Sequence, residues 1–317
     1  MERGNLKPFI KWAGGKREEL PLINQYIPEN IDRYFEPFVG GGAVYLDISA
    51  NSYHINDKST ALINLYQSIK EADEDFCSTL LELIEFWNGW KNINEIAPEA
   101  LKSSVHKCRT EKEKLLTKRN RLSELNCFEE SIVKSGIYNH CRKLFNSGEG
   151  STGVRSAYYF FVLHYCYGGL NRYNSRGEFN VPYAASYNNK KLDLGFLSNA
   201  NLLGKLDVTT ISNASYEAFL EPYSDLSSSD FIFVDPPYDS TFSNYENSSF
   251  GEDQQRALAD VLFQSKAKWM VVISETDLIN ELYKGKADVI EYDKKYRTNI
   301  NNHNTNREVT HLLIKNY

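Results

Sequence analysis

The chain has 317 residues, 41% of them apolar and 25% charged, with a formal net charge of −6, which is enough for one large α/β domain and a smaller second module. No apolar run approaches the roughly 18 residues of a membrane-spanning helix, residues 1–8 hold no apolar secretory segment, and the five cysteines form no Cys-x-x-Cys pair. A membrane span, a disulfide frame and a metal site are therefore not expected, and the expectation is an intracellular protein. The charge is uneven, because residues 91–143 carry 12 Lys and Arg against 7 Asp and Glu. Such asymmetry can mark a phosphate-facing module, although a solvated helix face would read the same way.

In chain order, Phe9-Ile10-Lys11-Trp12-Ala13-Gly14-Gly15-Lys16 places two lysines and an indole around a glycine turn. That loop can bring backbone close to a ligand, with Lys16 a point charge for an anion and Trp12 a flat apolar wall; a plain turn before a helix starting near Glu18 would look alike. Residues 33–38 read as a strand, Gly40-Gly41-Gly42 as a turn and residues 43–50 as a helix. A second strand, 52–56, ends at Asp57, where an acid can accept both hydroxyls of a ribose. The spacing is not G-x-G-x-x-G, and Glu36 inside the strand discourages a pyrophosphate. An adenosine carrying a positive charge fits better. S-adenosylmethionine is such a ligand, with Glu36 toward its ammonium or sulfonium, Lys16 toward its carboxylate and Asp57 on its ribose.

Residues 68–160 change to helical periodicity with many charges. Leu80, Leu83, Ile84 and Trp87 fall on one face, and Leu115, Leu116, Leu122 and Leu125 repeat the pattern. This region either widens a nucleic-acid footprint or buttresses the second module. In the aromatic-rich residues 157–167 most rings suit a core. Tyr167 stands apart, since it precedes Gly168-Gly169 and a hairpin over 172–183 whose Arg172 and Arg176 can reach a guanine edge or a phosphate.

The α/β pattern resumes with a strand at 207–211. Residues 230–234 form a short apolar run of the kind that makes a buried strand, and Asp235-Pro236-Pro237-Tyr238 follows at once. The polar, aromatic residues 239–250 read as a mobile surface loop, expected to close over a bound nucleic acid. Helices at 254–264 and 278–284, strands at 269–274 and 308–314, and a polar loop at 297–306 complete the chain.

An exocyclic adenine amine is a poor nucleophile because its lone pair is delocalised into the ring. The Asp235 carboxylate and the Pro236 carbonyl can each accept one of its hydrogens and aim the lone pair at a methyl group, while Tyr238 stacks on the base. Such a base must first leave the duplex.

Four stretches, Lys11 to Lys16, Phe35-Glu36-Pro37-Phe38-Val39-Gly40-Gly41-Gly42, Asn56-Asp57 and Asp235-Pro236-Pro237-Tyr238, resemble the motifs of the Dam-type DNA N6-adenine methyltransferases in that family's order. The resemblance runs on through Asn171-Arg172-Tyr173-Asn174-Ser175-Arg176-Gly177-Glu178-Phe179-Asn180-Val181-Pro182-Tyr183 and covers most of the chain. It implies a Rossmann-like, doubly wound α/β methyltransferase sheet from residues 1–68 and 192–317, with a mainly helical DNA-recognition domain and its β-hairpin inserted at 69–191. It implies S-adenosylmethionine as cofactor, contacted by Trp12, Lys16, Glu36, Phe38, Gly40, Asp57, Ser215, Tyr216 and Asp235. The catalytic set would be Asp235, Pro236, Pro237 and Tyr238. The substrate would be an adenine flipped from double-stranded DNA, held through Lys11, Tyr167, Leu170, Arg172, Asn174, Arg176 and Pro182.

GATC is the first expectation for the site, on Lys11 and Arg172. Two departures bear on it: Ala184-Ala185 stand where GATC readers tend to carry Gly-Arg, and Gly168 replaces an asparagine. Ser215-Tyr216 likewise stand where many members have Asp-Phe. A monomer in the cytoplasm of a prokaryotic cell or of one infected by phage is implied, with a cognate restriction endonuclease as a partner. RNA adenine or cytosine-N4 methylation, and a non-catalytic DNA-binding protein on the same fold, remain open from the residues.

Overall fold

The computed structural model describes residues 6–185, 191–237, 250–296 and 307–317. The chain forms two compact units, one of Met1–Pro8, Gly15–Ile63 and Gly204–Tyr317, the other of Phe9–Gly14 and Asn64–Leu203.

The first unit is built on a sheet of β1 (Arg33–Glu36), β2 (Ser52–Asn56), β3 (Thr209–Ser212), β4 (Phe231–Val234), β5 (Lys268–Ser274), β6 (Asp288–Tyr296) and β7 (Arg307–Lys315), in the order β3-β2-β1-β4-β5-β7-β6. Strands β1 to β5 run parallel, and β7 lies antiparallel between β5 and β6. This is the doubly wound arrangement expected. The order reverses between β1 and β4, and in open α/β sheets ligands bind at the carboxyl ends of the strands flanking such a reversal.

One expected boundary shifts for a local reason, and one strand is unexpected. β1 stops at Glu36 rather than at 38 because Pro37 has no N–H for the ladder. β6 has no counterpart among the expected strands, since its many charges mask the period of two; it lies at the end of the sheet order, where charges protect an edge.

Alternation along the strands separates two faces. Phe35 points one way with Ile232, Val234, Trp269 and Ile273 into a core with side chains of α10 (Tyr216–Leu220), α11 (Glu252–Gln264) and α12 (Asp277–Tyr283). Tyr34 points the other way, with ring contacts to Tyr53 and Phe231. Helices α1 (Leu20–Ile23) and α2 (Ala43–Asp47) complete this unit, while α3 (Thr60–Lys70) leads out of it and α9 (Ala200–Asp207) leads back in.

The second unit contains α4 (Glu74–Asn88), α5 (Ile93–Ile96), α6 (Glu99–Lys118), α7 (Glu129–Ser147) and α8 (Thr152–Tyr165). Asp73 and Ser151 cap α4 and α8 by accepting from Phe76 N and Val154 N. Trp87 stacks on Tyr165 with centroids 3.9 Å apart. α6 and α7 approach so closely that a Cβ on Gly136 would lie 2.6 Å from Val105 Cα.

Leu80, Leu83 and Trp87 are buried as their spacing predicts, joined by Phe86, while Ile84 is only half-buried. The second leucine series does not hold. Only Leu116 is buried: its neighbour Leu115 turns to the exposed side of α6, and Leu122 is exposed because α6 ends at Lys118 and residues 122–128 form a 3-10 helix that breaks the helical period.

Candidate active site

The carboxyl ends of β1, β2 and β4 deliver Glu36, Asp57 and Asp235. Asn56, almost fully buried, ties the turns after three strands together. Its Nδ2 donates to Pro37 O and to Ala214 O at 3.0 Å each, and its Oδ1 accepts from Ala214 N at 2.9 Å. Beside it, Asp57 accepts from Gly40 N at 3.0 Å and from Ser59 N at 2.9 Å. Its carboxylate is half-buried and retains acceptor capacity, since a carboxylate has about four lone-pair positions. Gly42, at φ 69°, provides the left-handed residue from which α2 departs.

Glu36 sits in an interior environment. It is 3% exposed, Tyr34 Oη donates to its Oε2 at 2.6 Å, and burial pushes its carboxyl up to about 8, with Asp235 adding to the rise. At neutral pH the ligand-free side chain is therefore largely protonated, and a cation at this position would draw the proton off.

Asp235 is held by Lys16, whose Nζ is 2.5 Å from Oδ1. Burial raises the Asp235 carboxyl, and Lys16 pulls it back in part. Its side chain keeps 22% of its surface exposed, against 3% for Lys16. Pro236 is buried and Pro237 exposed; Gln255 of α11 donates to Pro237 O at 3.0 Å, fixing the exit of the stretch. Tyr238 lies outside the described residues, as do residues 239–249 of the expected closing loop and residues 297–306.

An aromatic corner stands at the same end of the sheet. The ring centroids of Phe38, Tyr216 and Phe250 lie 5.6 to 5.8 Å from one another. Ser215 uses its hydroxyl to cap α10, accepting from Ala218 N at 3.3 Å, and the Tyr216 hydroxyl donates to Gln254 O at 3.3 Å. Trp12 belongs to the second unit and is half-buried there.

In the second unit the rings of 157–167 divide as expected, with Tyr159, Phe160, Phe161 and Tyr165 buried and Tyr167 50% exposed. The segment 172–183 is not a regular hairpin. Single bridges join Tyr173 to Phe179 and Cys166 to Tyr183. Asn174 closes the turn itself: its Oδ1 accepts from Arg176 N and Glu178 N, and its Nδ2 donates to Glu178. Arg172 donates to Asn180 Oδ1 at 2.8 Å and Arg176 to Glu178 at 2.8 Å. Lys11, Arg172, Arg176 and Pro182 are exposed, and Leu170 is half-buried. Lys11 lies against Gly169, where an added Cβ would come 3.1 Å from Lys11 Cβ.

One face of α7 holds this segment. Tyr138 and Arg142 both donate to Val181 O, at 2.7 and 2.9 Å, and Asn146 exchanges hydrogen bonds with the Phe179 backbone. Part of the charged helical region thus acts as a buttress. Sequence patterns missed these roles, as they missed Gln255 and Asn56's bracing; the spacing of Tyr138, Arg142 and Asn146 by four was the one available signal.

Comparison with known proteins decides among the chemistries left open. The model of the D12 class N6 adenine-specific DNA methyltransferases matches residues 12–298. The chain belongs to that family. It is 29% identical to the Type II methyltransferase M.CviBI of Paramecium bursaria Chlorella virus NC1A, covering 98% of this chain and 100% of the relative. It is 30% identical to the retron Ec67 DNA adenine methylase of Escherichia coli (88% and 81%), and 25% identical to the DNA adenine methylase of Escherichia coli strain K12 (97% and 94%).

The protein is accordingly a site-specific DNA methyltransferase acting on the N6 of adenine. Among the described residues no helix is long and apolar enough to cross a membrane, and no group of three or more His, Cys, Asp or Glu could hold a metal ion.

Proposed function

We propose that the methyltransferase takes its methyl group from S-adenosylmethionine bound at the carboxyl ends of β1, β2 and β4, and passes it to an adenine held at Asp235. The observation that carries this reading is the meeting of Glu36, Asp57 and Asp235 at the reversal of strand order, where the sheet can accept a ligand. The groups present suit the donor's parts: a half-buried carboxylate for ribose hydroxyls, a buried carboxyl that can ionise against a cation, and the corner of Phe38, Tyr216 and Phe250 for an adenine ring. When bound, S-adenosylmethionine supplies an electrophilic methyl on its sulfonium.

The chain's own contribution is orientation. With Lys16 on Oδ1, the other oxygen of Asp235 accepts one N6 hydrogen and the carbonyl of Pro236 the second, which turns the lone pair toward the methyl. Pro237, anchored by Gln255, keeps that carbonyl aimed, and Tyr238 stacks on the base. The adenine reaches these groups flipped out of the duplex, at a cost of a few kcal/mol.

The second unit is the DNA-recognition module in this reading, slightly wider than the 69–191 expected. Lys11, Tyr167, Leu170, Arg172, Arg176 and Pro182 meet the DNA. Asn174 shapes the loop from within. GATC remains the proposed site, read by a monomer in the interior of a prokaryotic or infected cell, beside a cognate restriction endonuclease.

The test is transfer of labelled methyl from S-adenosylmethionine to duplex DNA, followed by mapping of the modified adenines. Modified adenines confined to GATC are expected. Transfer that needs another donor would overturn the cofactor, and modification at another sequence would overturn GATC alone.

A further inference from the structure

Glu19 belongs to none of the motifs. It follows Lys16 by one 3-10 turn, its N–H donating to Lys16 O at 2.9 Å, yet its side chain is met from the other end of the chain. Tyr292 Oη donates to Glu19 Oε1 at 2.5 Å, and Lys294 Nζ to Oε2 at 2.6 Å. Two residues apart on β6, both donors project from one face. β7 adds His311, with Nδ1 3.8 Å from Glu19 Oε1 and Nε2 3.0 Å from Ser274 Oγ. Burial holds that imidazole down at about 4, so it is neutral under ordinary conditions.

The result is a cluster of two cations and two anions largely out of water: Lys16 is 3% exposed, Glu19 6%, Lys294 13% and Asp235 22%. Buried charge is tolerated only when it is compensated. Here the compensation extends past the pair that does the chemistry.

We propose that Glu19 and Lys294 are positioning residues for methyl transfer, neutralising one another beside Lys16 and Asp235 so that Lys16 holds a single oxygen of Asp235 and leaves the other for the adenine amine. The proposal rests on Asp235 being the acceptor for that amine. Without the negative charge of Glu19, Lys294 has Asp235 as the anion within its electrostatic reach, and two cations compete for the carboxylate. Without Lys294, Glu19 competes with Asp235 for Lys16. Either single loss misdirects Asp235. Loss of both charges restores the balance.

The experiment compares single-turnover methyl transfer by the full chain and by Glu19→Gln, Lys294→Met and the double variant, with DNA affinity and thermal melting measured alongside. Each single change is expected to slow transfer by about 10- to 100-fold at unchanged DNA affinity, as for misplaced reacting groups. The double variant is expected to recover to within about 3-fold of the parent, a non-additivity that general structural damage does not produce. A parent rate in Glu19→Gln, or a double variant slowed by the product of the two single effects, overturns the proposal. If Glu19→Gln does not fold, Tyr292→Phe takes its place, because it keeps all four charges and frees Oε1 to reach Lys16. It should slow transfer, and a parent rate there overturns the idea equally. Asp235→Asn run in the same assay separates the two readings: activity in that variant removes the role of Asp235 itself.

Discussion

Lys16 and Asp235 meet at 2.5 Å across 219 positions of sequence, whereas Arg176 and Glu178 meet at 2.8 Å across two. The first unit gathers buried charged and polar side chains from β1, β2, β4 and β6 and sets them against one another with little water between. The second presents exposed charges on one loop, each leaning on a near neighbour in sequence. A strand-end site has its geometry fixed before substrate arrives, as orientation of a weak nucleophile requires. The loop's exposed pairs contribute little to stability, so in the proposed reading they can be exchanged for phosphates and base edges at small cost.

The largest effect should come from breaking the first region at its centre. Asp235→Ala removes the proposed acceptor of the amine and is expected to lower methyl transfer by at least about 100-fold with the fold intact. Transfer assays with circular dichroism check this, and turnover near that of the parent would sink the mechanism. Asn146→Ala tests the other region without touching DNA. It frees the backbone of Phe179 from α7, so sequence discrimination should fall while transfer to a saturating cognate duplex changes little.

Arg172→Ala should relax discrimination at one base position, by about 1 to 3 kcal/mol if its guanidinium reads a guanine. Competition between cognate and single-mismatch duplexes measures it. An unchanged profile would move Arg172 away from the bases.

How far each region is legible in the sequence follows from the same contrast. Glycine turns, the acid after a strand and the apolar run before Asp235 carry local signatures, so β1, β2 and β4 and the candidate residues at their ends can be read directly. The Lys16–Asp235 pair and the Glu19 cluster cannot, because no local pattern announces which distant strand will lie alongside. β6 shows why: five charges among its nine residues hide the period of two, and only the fold shows Glu19 accepting from two of its side chains. In the second unit the aromatic division around Tyr167 is legible from its neighbouring glycines. The inward turn of Asn174 is not, since an asparagine that reads a base and one that closes a turn have the same neighbours.

Glu36 provides a pH test that applies only to the buried region. Its carboxyl rises from 4.5 to about 8 on folding, so between those values the folded chain keeps a proton that the unfolded chain has released. The contribution to stability is full below about pH 4.5 and lost as pH rises through 8, at no more than about 1.4 kcal/mol per pH unit. Glu36→Gln should flatten that fall between pH 5 and 7.5. The window stops there because Lys205, lowered by burial to about 8, works in the opposite sense above it. Binding of the cationic methyl donor should release a proton from the parent and none from Glu36→Gln, which calorimetry in buffers of different ionisation enthalpy reads directly.

The smallest effect should come from α6. Arg109 pairs with Glu129 and Lys102 with Glu99, but Lys114 and Lys118 lie exposed one helical turn apart on the same face. If that face follows a phosphate backbone, replacing both by Gln should weaken all duplexes alike and reduce the slope of log affinity against log salt by about 2, one for each phosphate no longer neutralised. Sequence preference and the single-turnover rate should stay put, because neither lysine belongs to the loop or the strand-end site. An unchanged salt slope would instead assign the charge of α6 to solvation, leaving α7 as the part of the charged insert that serves recognition through the backbone of Phe179 and Val181.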